Sequence, residues 1–398
     1  MKVLQINSVC GIGSTGRIAT DLSDIMKEEG IENSILYGRG DAPKNYLTFK
    51  IGSSLDNYVH VGLTRLFDLH GYGSVGATKK AVSYIRDYSP DIIHLHNIHG
   101  YYLNISILFK ALAVLDIPIV WTLHDCWPFS GHSAYINVDK NGDIPLKMTS
   151  NEEKKEYPTT LFVDRYKKNY QHKEALFTSV SNMTIVTPSH WLANMVEKSF
   201  LKKYDVKVIH NGIDLTIFSG KKDSDSDNEM ENRKKIILGV ASIWEDRKGL
   251  NFFNELADNL DTNYEIVLIG DTRNQPLNVK IKHVKRTNNI EELAEWYRKA
   301  EVFVNPTLED NFPTTNIEAL ACGTPVITFE TGGSPESLTQ ETGIIVKEKS
   351  VDALLNAVYQ INKSEMTNNC VIQAQKFDKN KAFNEYIRLY KEVLKNEK

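Results

Sequence analysis

A polar stretch at residues 221–235 divides the chain into two segments with the same rhythm, short apolar runs alternating with helix-length amphipathic stretches. No other feature constrains the fold as strongly. Strands that alternate with helices build parallel sheets covered on both faces, so two α/β halves are expected. In the first half, residues 3–9, 33–37, 91–96, 118–124 and 184–187 read as strands, and 18–29 as a helix. Ser189, after Pro188, reads as a helix cap. In the second half, residues 235–241, 265–270, 302–306 and 325–328 read as buried strands. Such sheets bind ligands beyond the carboxyl ends of their strands, where the strand order reverses. Two halves facing each other would also enclose a cleft.

Composition removes several function classes. The 398 residues carry 47 Lys+Arg against 51 Asp+Glu, a net charge of −4, which gives no footprint for nucleic acid. The four cysteines lie far apart and form no CxxC pair, as expected in a reducing compartment without a disulfide framework or a Cys-based zinc site. No apolar run approaches the roughly 18 residues of a membrane span. Residues 2–7 lead into a glycine loop and do not resemble a signal peptide, so a cytoplasmic location is expected. Residues 131–160, with Asn141-Gly142, read as a long loop. The Asp223-x-Asp225-x-Asp227 spacing resembles a calcium loop, but Asn228 and Lys234 stand where Gly and Glu are needed, so a solvated linker is expected.

Five constellations can carry chemistry. Gly11-Ile12-Gly13-Ser14-Thr15-Gly16 joins a strand to a helix, where backbone amides and the helix dipole can hold phosphate; a tight turn needing small residues is the plainer reading. No acid follows at Leu36-Tyr37-Gly38-Arg39, which disfavours NAD and leaves Arg39 open to an NADP phosphate. In His94-Leu95-His96-Asn97-Ile98-His99, His94 and His96 share a strand face, but no nearby carboxylate completes a metal set. His99, past the strand end and followed by Tyr101 and Tyr102, is the candidate for contact with an acceptor substrate. His124, in Thr122-Leu123-His124-Asp125-Cys126-Trp127-Pro128, ends a strand, and Cys126 reads as a buried spectator. Arg247-Lys248 can neutralise a diphosphate, though a solvated surface pair would look the same. The segment 305–325 is the most specific. A strand ends, a polar loop presents Asp310, and a helix starting near Thr315 carries Glu318 until Gly323-Thr324-Pro325 stops it. A carboxylate there can accept both hydroxyls of a ribose, and residues 331–336 add a second small-residue loop.

These motifs, with Val208-Ile209-His210-Asn211-Gly212-Ile213-Asp214, resemble retaining glycosyltransferases of family 4, and within them the capsule, exopolysaccharide and colanic acid enzymes. The resemblance covers nearly the whole chain. It implies the GT-B fold: α/β, two Rossmann-like domains facing across a cleft, divided as 1–214 and 215–377, with a C-terminal helix in 378–398 crossing back to the first. It implies transfer of a sugar from a nucleoside diphosphate, UDP in preference to GDP, to a glycan or lipid-linked glycan. Configuration is retained and no metal or other cofactor is used. The family's acidic pair falls on Asp310, with Glu309 beside it, and Glu318. Its diphosphate cations fall on Lys248 and on Ile243, so Arg247 or a neighbour takes the second place. The sugar-contacting His falls on His124. Donor-side backbone falls on Gly13, Ser14, Gly16 and Gly270, on the base-facing turn Arg286-Thr287-Asn288, and on Asn311, Phe312, Pro313, Thr314 and Thr315. Pro313 has no N–H to give. Relatives often carry cysteines in the region matching 133–154; this chain has none there. A nucleotide-sugar 2-epimerase and a non-catalytic nucleotide-sugar-binding subunit are the alternatives on the same fold.

Relatives act at the cytoplasmic face of the cell membrane, which implies peripheral association here. Arg165, Lys167, Lys168 and Lys173, with Tyr166, Tyr170, Leu176 and Phe177, and then Lys198, Lys202, Lys203 and Lys207, form the basic and aromatic surface expected to meet anionic lipid.

Overall fold

The computed structural model describes residues 1–136, 144, 153–155, 157–220 and 234–395. Asn141-Gly142 and the Asp223-x-Asp225-x-Asp227 spacing lie outside the described residues. The chain forms two compact units, Met1–Ile209 with Phe383–Lys398, and His210–Ala382. These boundaries differ from 214 and 377 because Ile213 pairs with Asp378 and Lys379 forms a 2.6 Å ion pair with Asp214, which ties both segments into the second unit.

The first unit holds seven parallel strands: β1 (Lys2–Val9), β2 (Glu32–Arg39), β3 (Thr48–Lys50), β4 (Ile92–Leu95), β5 (Ile119–Thr122), β6 (Met183–Thr187) and β7 (Asp205–Val208). Their order is β3-β2-β1-β4-β5-β6-β7, so the direction of winding reverses between β1 and β4. Helices α1 (Gly13–Glu28), α2 (Ser54–Phe67), α3 (Val75–Tyr88), α4 (Ile105–Leu115), α5 (Tyr166–Phe177) and α6 (His190–Glu197) connect them. Val3, Leu4 and Ile6 of β1 are fully buried, as expected of a central parallel strand covered on both faces. Gln5 and Asn7, on the same strand, are buried too and must be hydrogen bonded. Ser189 caps α6 by accepting from the Leu192 amide at 3.1 Å.

The second unit repeats the plan with β8 (Lys235–Ile243), β9 (Tyr264–Asp271), β10 (Ile281–Val284), β11 (Val302–Asn305), β12 (Val326–Phe329) and β13 (Gly343–Val346). The order β10-β9-β8-β11-β12-β13 again reverses between its first strand and its fourth. Its helices are α7 (Leu250–Asn259), α8 (Ile290–Lys299), α9 (Thr314–Ala321), α10 (Val351–Gln360) and α11 (Lys363–Ala374). Successive strand residues enter opposite cores. Leu238, Val267 and Phe303 pack in one, and Ile237, Leu268 and Val304 in the other. Helix α12 (Lys379–Lys395) starts in this unit and from Phe383 belongs to the first.

Both halves are thus Rossmann-like and the fold is GT-B. Three expectations need correction. Helix α1 starts at Gly13, because the glycine loop is itself the first helical turn. Strands β3, β7, β10 and β13 are additions. Of the basic and aromatic surface on α5, Lys173, Tyr166, Leu176 and Phe177 are buried. Lys173 Nζ donates to the carbonyls of Trp127 (2.7 Å) and Ser130 (3.1 Å) and lies over the Trp127 ring, so it cannot meet a membrane.

Candidate functional site

In the first unit, β4 and the segments after β4 and β5 bring His94, His96, His99 and His124 together at the winding reversal. Their protonation follows from one fixed atom. The Gln5 amide nitrogen lies 3.0 Å from the Ala19 carbonyl, which can only accept, so this atom is a donor and Gln5 Oε1 is an acceptor. His96 Nε2, 2.9 Å from that oxygen, therefore carries a proton. Burial pushes His96 well below the usual histidine pKa, so the ring is neutral and its Nδ1 is bare. His124 Nε2, 3.3 Å from that Nδ1, must then be the donor. The two rings are only 19° out of parallel with centroids 5.5 Å apart, so they lie edge to edge. Burial also holds His124 neutral, pulling it down to about 4 although Asp125 opposes the shift. In half-buried His124 the unprotonated ring nitrogen is thus Nδ1.

His94 is anchored differently, with Nδ1 2.6 Å from the Tyr390 hydroxyl and Nε2 2.8 Å from Thr122 Oγ1, which donates to Tyr386. The face shared by His94 and His96 is real, with centroids 4.0 Å apart, and C-terminal helix side chains close its far side. His99 donates from Nε2 to Asp125 at 2.8 Å, and its Nδ1 lies 3.1 Å from the Tyr157 hydroxyl. Burial alone would raise the Asp125 pKa, but the adjacent His99 and the Trp127 amide hold it below the ordinary value. Tyr101 has φ 68°, a strained value for a residue with a side chain, and packs 4.7 Å from His70. Tyr102 does not face an acceptor. It is fully buried, donates to the Asn97 carbonyl at 2.8 Å, and is a core residue.

The glycine loop puts Gly13 and Ser14 at the exposed start of α1, where no side chain caps the amides. Gly16 is buried, and a Cβ there would lie 3.0 Å from Val9, so its requirement is packing.

In the second unit, the segments after β8 and β11 flank the winding reversal, and Lys248 and Asp310 meet there at 2.5 Å. Arg247 lies beside them, donating to the Glu309 carbonyl at 3.3 Å, while Leu308 N–H donates to the Arg247 carbonyl at 2.7 Å. The residue 331–336 loop supports this arrangement. Gly333 N–H donates to the Asp310 carbonyl, and a Cβ at Gly332 would stand 1.8 Å from that oxygen. Asn311, Phe312 and Pro313 are buried; Phe312 stacks on His210 at 4.8 Å, and Pro313 is the N-cap of α9. Thr314 and Thr315 are the first helical residues and half-buried, so their amides form the helix's positive end. Glu318, one turn on, is buried and accepts from the Tyr297 hydroxyl at 3.0 Å. Asn316 donates to Ser334 and Ser337 and accepts from Asn305, bracing the helix.

The remaining donor-side positions sit apart from that group in sequence and role. Gly270 has φ 132° and a Cβ there would meet the Ala241 carbonyl at 1.8 Å, so close strand packing demands glycine. Arg286, Thr287 and Asn288 follow β10, and Asn288 is engaged by Glu292 of α8 at 2.8 Å. Gln5, Asp125, Tyr157 and Tyr297 were not anticipated as site residues. A buried amide in a central strand was the available signal for Gln5, and the His124-Asp125 pair for Asp125. Tyr157 and Tyr297 carry none.

Residues 15–217 match the family described as Glycosyltransferase Family 4, and 234–364 the one described as Glycosyl transferases group 1. The chain is 23% identical over 383 residues to WcaC of Escherichia coli (strain K12), named as a colanic acid biosynthesis glycosyl transferase, covering 92% of this chain and 91% of that protein. It is 27% identical over 217 residues to the Campylobacter jejuni N,N'-diacetylbacillosaminyl-diphospho-undecaprenol alpha-1,3-N-acetylgalactosaminyltransferase, covering 49% of this chain and 57% of that one. Among solved structures, Anabaena HepE in complex with UDP superposes with a TM-score of 0.65 at 15% identity, over 98% of this chain and 100% of that one.

Proposed function

Since the chain belongs to glycosyltransferase family 4, we propose that it is a retaining transferase moving a hexose from a UDP-sugar to a hydroxyl of a lipid-linked glycan, in assembly of a surface polysaccharide. The observation that carries this reading is the meeting of Lys248, Asp310 and the amino end of α9, with Glu318 one turn into that helix. The WcaC and Campylobacter names support a polysaccharide and a lipid-linked acceptor, and the HepE complex supports UDP.

The chemistry follows from charge. The bond between the anomeric carbon and the diphosphate oxygen breaks, a bond to the acceptor oxygen forms on the same face, and the hydroxyl proton passes to the leaving diphosphate. The sugar develops oxocarbenium character as negative charge grows on the phosphate. Lys248, Arg247 and the Thr314 and Thr315 amides stabilise that charge. Asp310, held by Lys248, accepts from sugar hydroxyls. Glu318, whose carboxylate Tyr297 orients, binds the ribose hydroxyls. His124 contacts the donor sugar, and Tyr101, beside the buried His99–Asp125 pair, faces the acceptor. The enzyme works at the inner membrane face as a peripheral protein; no helix among the described residues is long and apolar enough to cross a membrane.

A nucleotide thermal-shift series tests the donor, because a ligand that binds only the folded chain raises its melting temperature. UDP and a UDP-sugar should raise it more than GDP. The anomeric configuration of the product, read by proton NMR, tests retention. Conversion of the nucleotide sugar to its C2 epimer instead of transfer would overturn the assignment.

A further inference from the structure

Helix α2 is inverted relative to an ordinary surface helix. Its buried residues are His60 and Thr64, both polar. Five of its apolar residues face outward, with Leu55 72% exposed, Tyr58 74%, Val59 55%, Leu66 45% and Phe67 50%, while Val61 and Leu63 are half-buried. Leu55, Tyr58, Val59 and Leu66 recur at helical spacing on one side of the helix, with Gly62 between Val59 and Leu66. Hydrogen bonds hold the inner face. His60 Nε2 accepts from the amides of Gly71 (3.0 Å) and Gly73 (3.3 Å), Nδ1 meets Ser74 Oγ at 3.0 Å, and Thr64 donates to the His60 carbonyl. A helix anchored by polar groups does not need apolar residues on its outer face for folding.

The stripe is extended by a second segment. Leu161 N–H donates to the Arg65 carbonyl at 2.8 Å, which sets Leu161 (55% exposed) and Phe162 (72% exposed) beside the end of α2. The start of α5 is tied to the same end, with Arg165 N–H donating to Asp68 at 3.0 Å. Cations therefore collect around the patch: Arg65, Lys167 and Lys168 are exposed and Arg165 is half-buried, against exposed Asp164 and buried Asp68, which is held by His132 at 2.7 Å. At the opposite end of the helix, Asp56 is engaged in the Ser53 capping box. An apolar patch with aromatic rings and a cationic rim fits the headgroup boundary of an anionic bilayer.

We propose that the outer face of α2, with the 161–162 turn, docks on an anionic phospholipid surface. The site moves the membrane contact away from the buried half of α5. It rests on the lipid-linked-acceptor reading for its purpose, though not for its geometry.

Co-sedimentation of the full chain with phosphatidylglycerol–phosphatidylcholine vesicles and with pure phosphatidylcholine vesicles tests it. The wild type should bind the anionic vesicles at low salt and bind them less at high salt. Leu55→Ser combined with Leu66→Ser and Phe162→Ser should weaken binding at least about tenfold. Lys167→Ala with Lys168→Ala should weaken it less and remove part of the salt dependence. Because the replaced side chains are exposed, the UDP thermal shift should not change, which separates lost docking from lost folding. Equal binding by wild type and the triple variant, or no binding by either, overturns the proposal. So does a dimer, seen by size-exclusion chromatography, that the triple variant dissolves while vesicle binding persists. If docking is lost as expected but no lipid-linked acceptor is ever glycosylated, the surface stands and the acceptor reading falls.

Discussion

Gln5 determines the protonation of a histidine it does not touch. Its amide nitrogen is held by the Ala19 carbonyl and Ser23 Oγ (2.7 Å), so its oxygen must receive the His96 proton, and His96 in turn must receive that of His124. In ¹⁵N NMR, His124 is expected as the Nε2–H tautomer, with a bare, imine-type Nδ1. Gln5→Leu removes the anchor and should give His124 a mixture of tautomers, with the Nδ1 resonance moving toward the protonated position. An unchanged spectrum would show that Gln5 has no such hold. In the second unit, Glu318→Ala should weaken donor binding, since each hydrogen bond to a charged group contributes about 1.5–3 kcal/mol. Titration calorimetry reads this directly, and undiminished affinity would remove the ribose role. Lys248→Ala should lower kcat more than it raises KM, because its partner charge grows toward the transition state. His124, Lys248, Asp310 and Glu318 were legible because they stand in compact motifs. Gln5 and Tyr297 were not, because they act across long chain separations on residues of other elements. Tyr102 misled because adjacent residues in the Gly100 turn point in opposite directions.

At the scale of elements, the strands that the sequence reveals are the inner ones. The four that it conceals, β3, β7, β10 and β13, are the edges of the two sheets. An inner parallel strand is covered on both faces and reads as a continuous apolar run, while an edge strand is short and half solvated. β7 and β10, with exposed lysines at Lys207 and Lys282, lack the run that periodicity detects. Helix starts depend on turn chemistry instead. Ser189 announced α6, whereas α1 opens on glycines without a side-chain cap. The loops that follow β11 and β12 act as one element, because Gly332, at φ 54°, fits its backbone against the Asp310 carbonyl. Gly332→Ala should displace that contact and destabilise the second unit by about 1–3 kcal/mol, the range for strain of this kind. Donor turnover should fall with it, as the Lys248–Asp310 pair loses its support. Chemical denaturation and initial rates measured on the same preparation test both effects.

Across the whole molecule, the units differ in how they respond to acid. The first contains the buried histidines His60, His70, His94 and His96 and the half-buried His124, whose pKa values desolvation lowers, to about 4 for His60, about 3 for His94 and about 4 for His124. Each is a neutral ring that the fold keeps neutral. Above the unfolded pKa of about 6.5 neither state binds the proton, and the stability contributed by these rings is complete. As the pH falls below that value, the unfolded chain takes up protons that the native unit refuses. Stability therefore declines toward the native pKa values, with each ring contributing about 1.4 kcal/mol per pH unit at most. The lowered pKa of Asp125 acts in the same direction, below about pH 4. Hydrogen-exchange mass spectrometry at pH 7 and pH 5 resolves the two units, once rates are corrected for intrinsic exchange. Amides of β1, β4 and β5 should lose protection at pH 5, while those of β8, β9 and β11 change little. Equal loss in both sheets would mean that the units unfold together or that the histidines titrate normally. Replacing His94 by Gln separates these cases. A ring that the fold held neutral leaves a smaller pH slope when removed, whereas one that titrated freely leaves the slope unchanged.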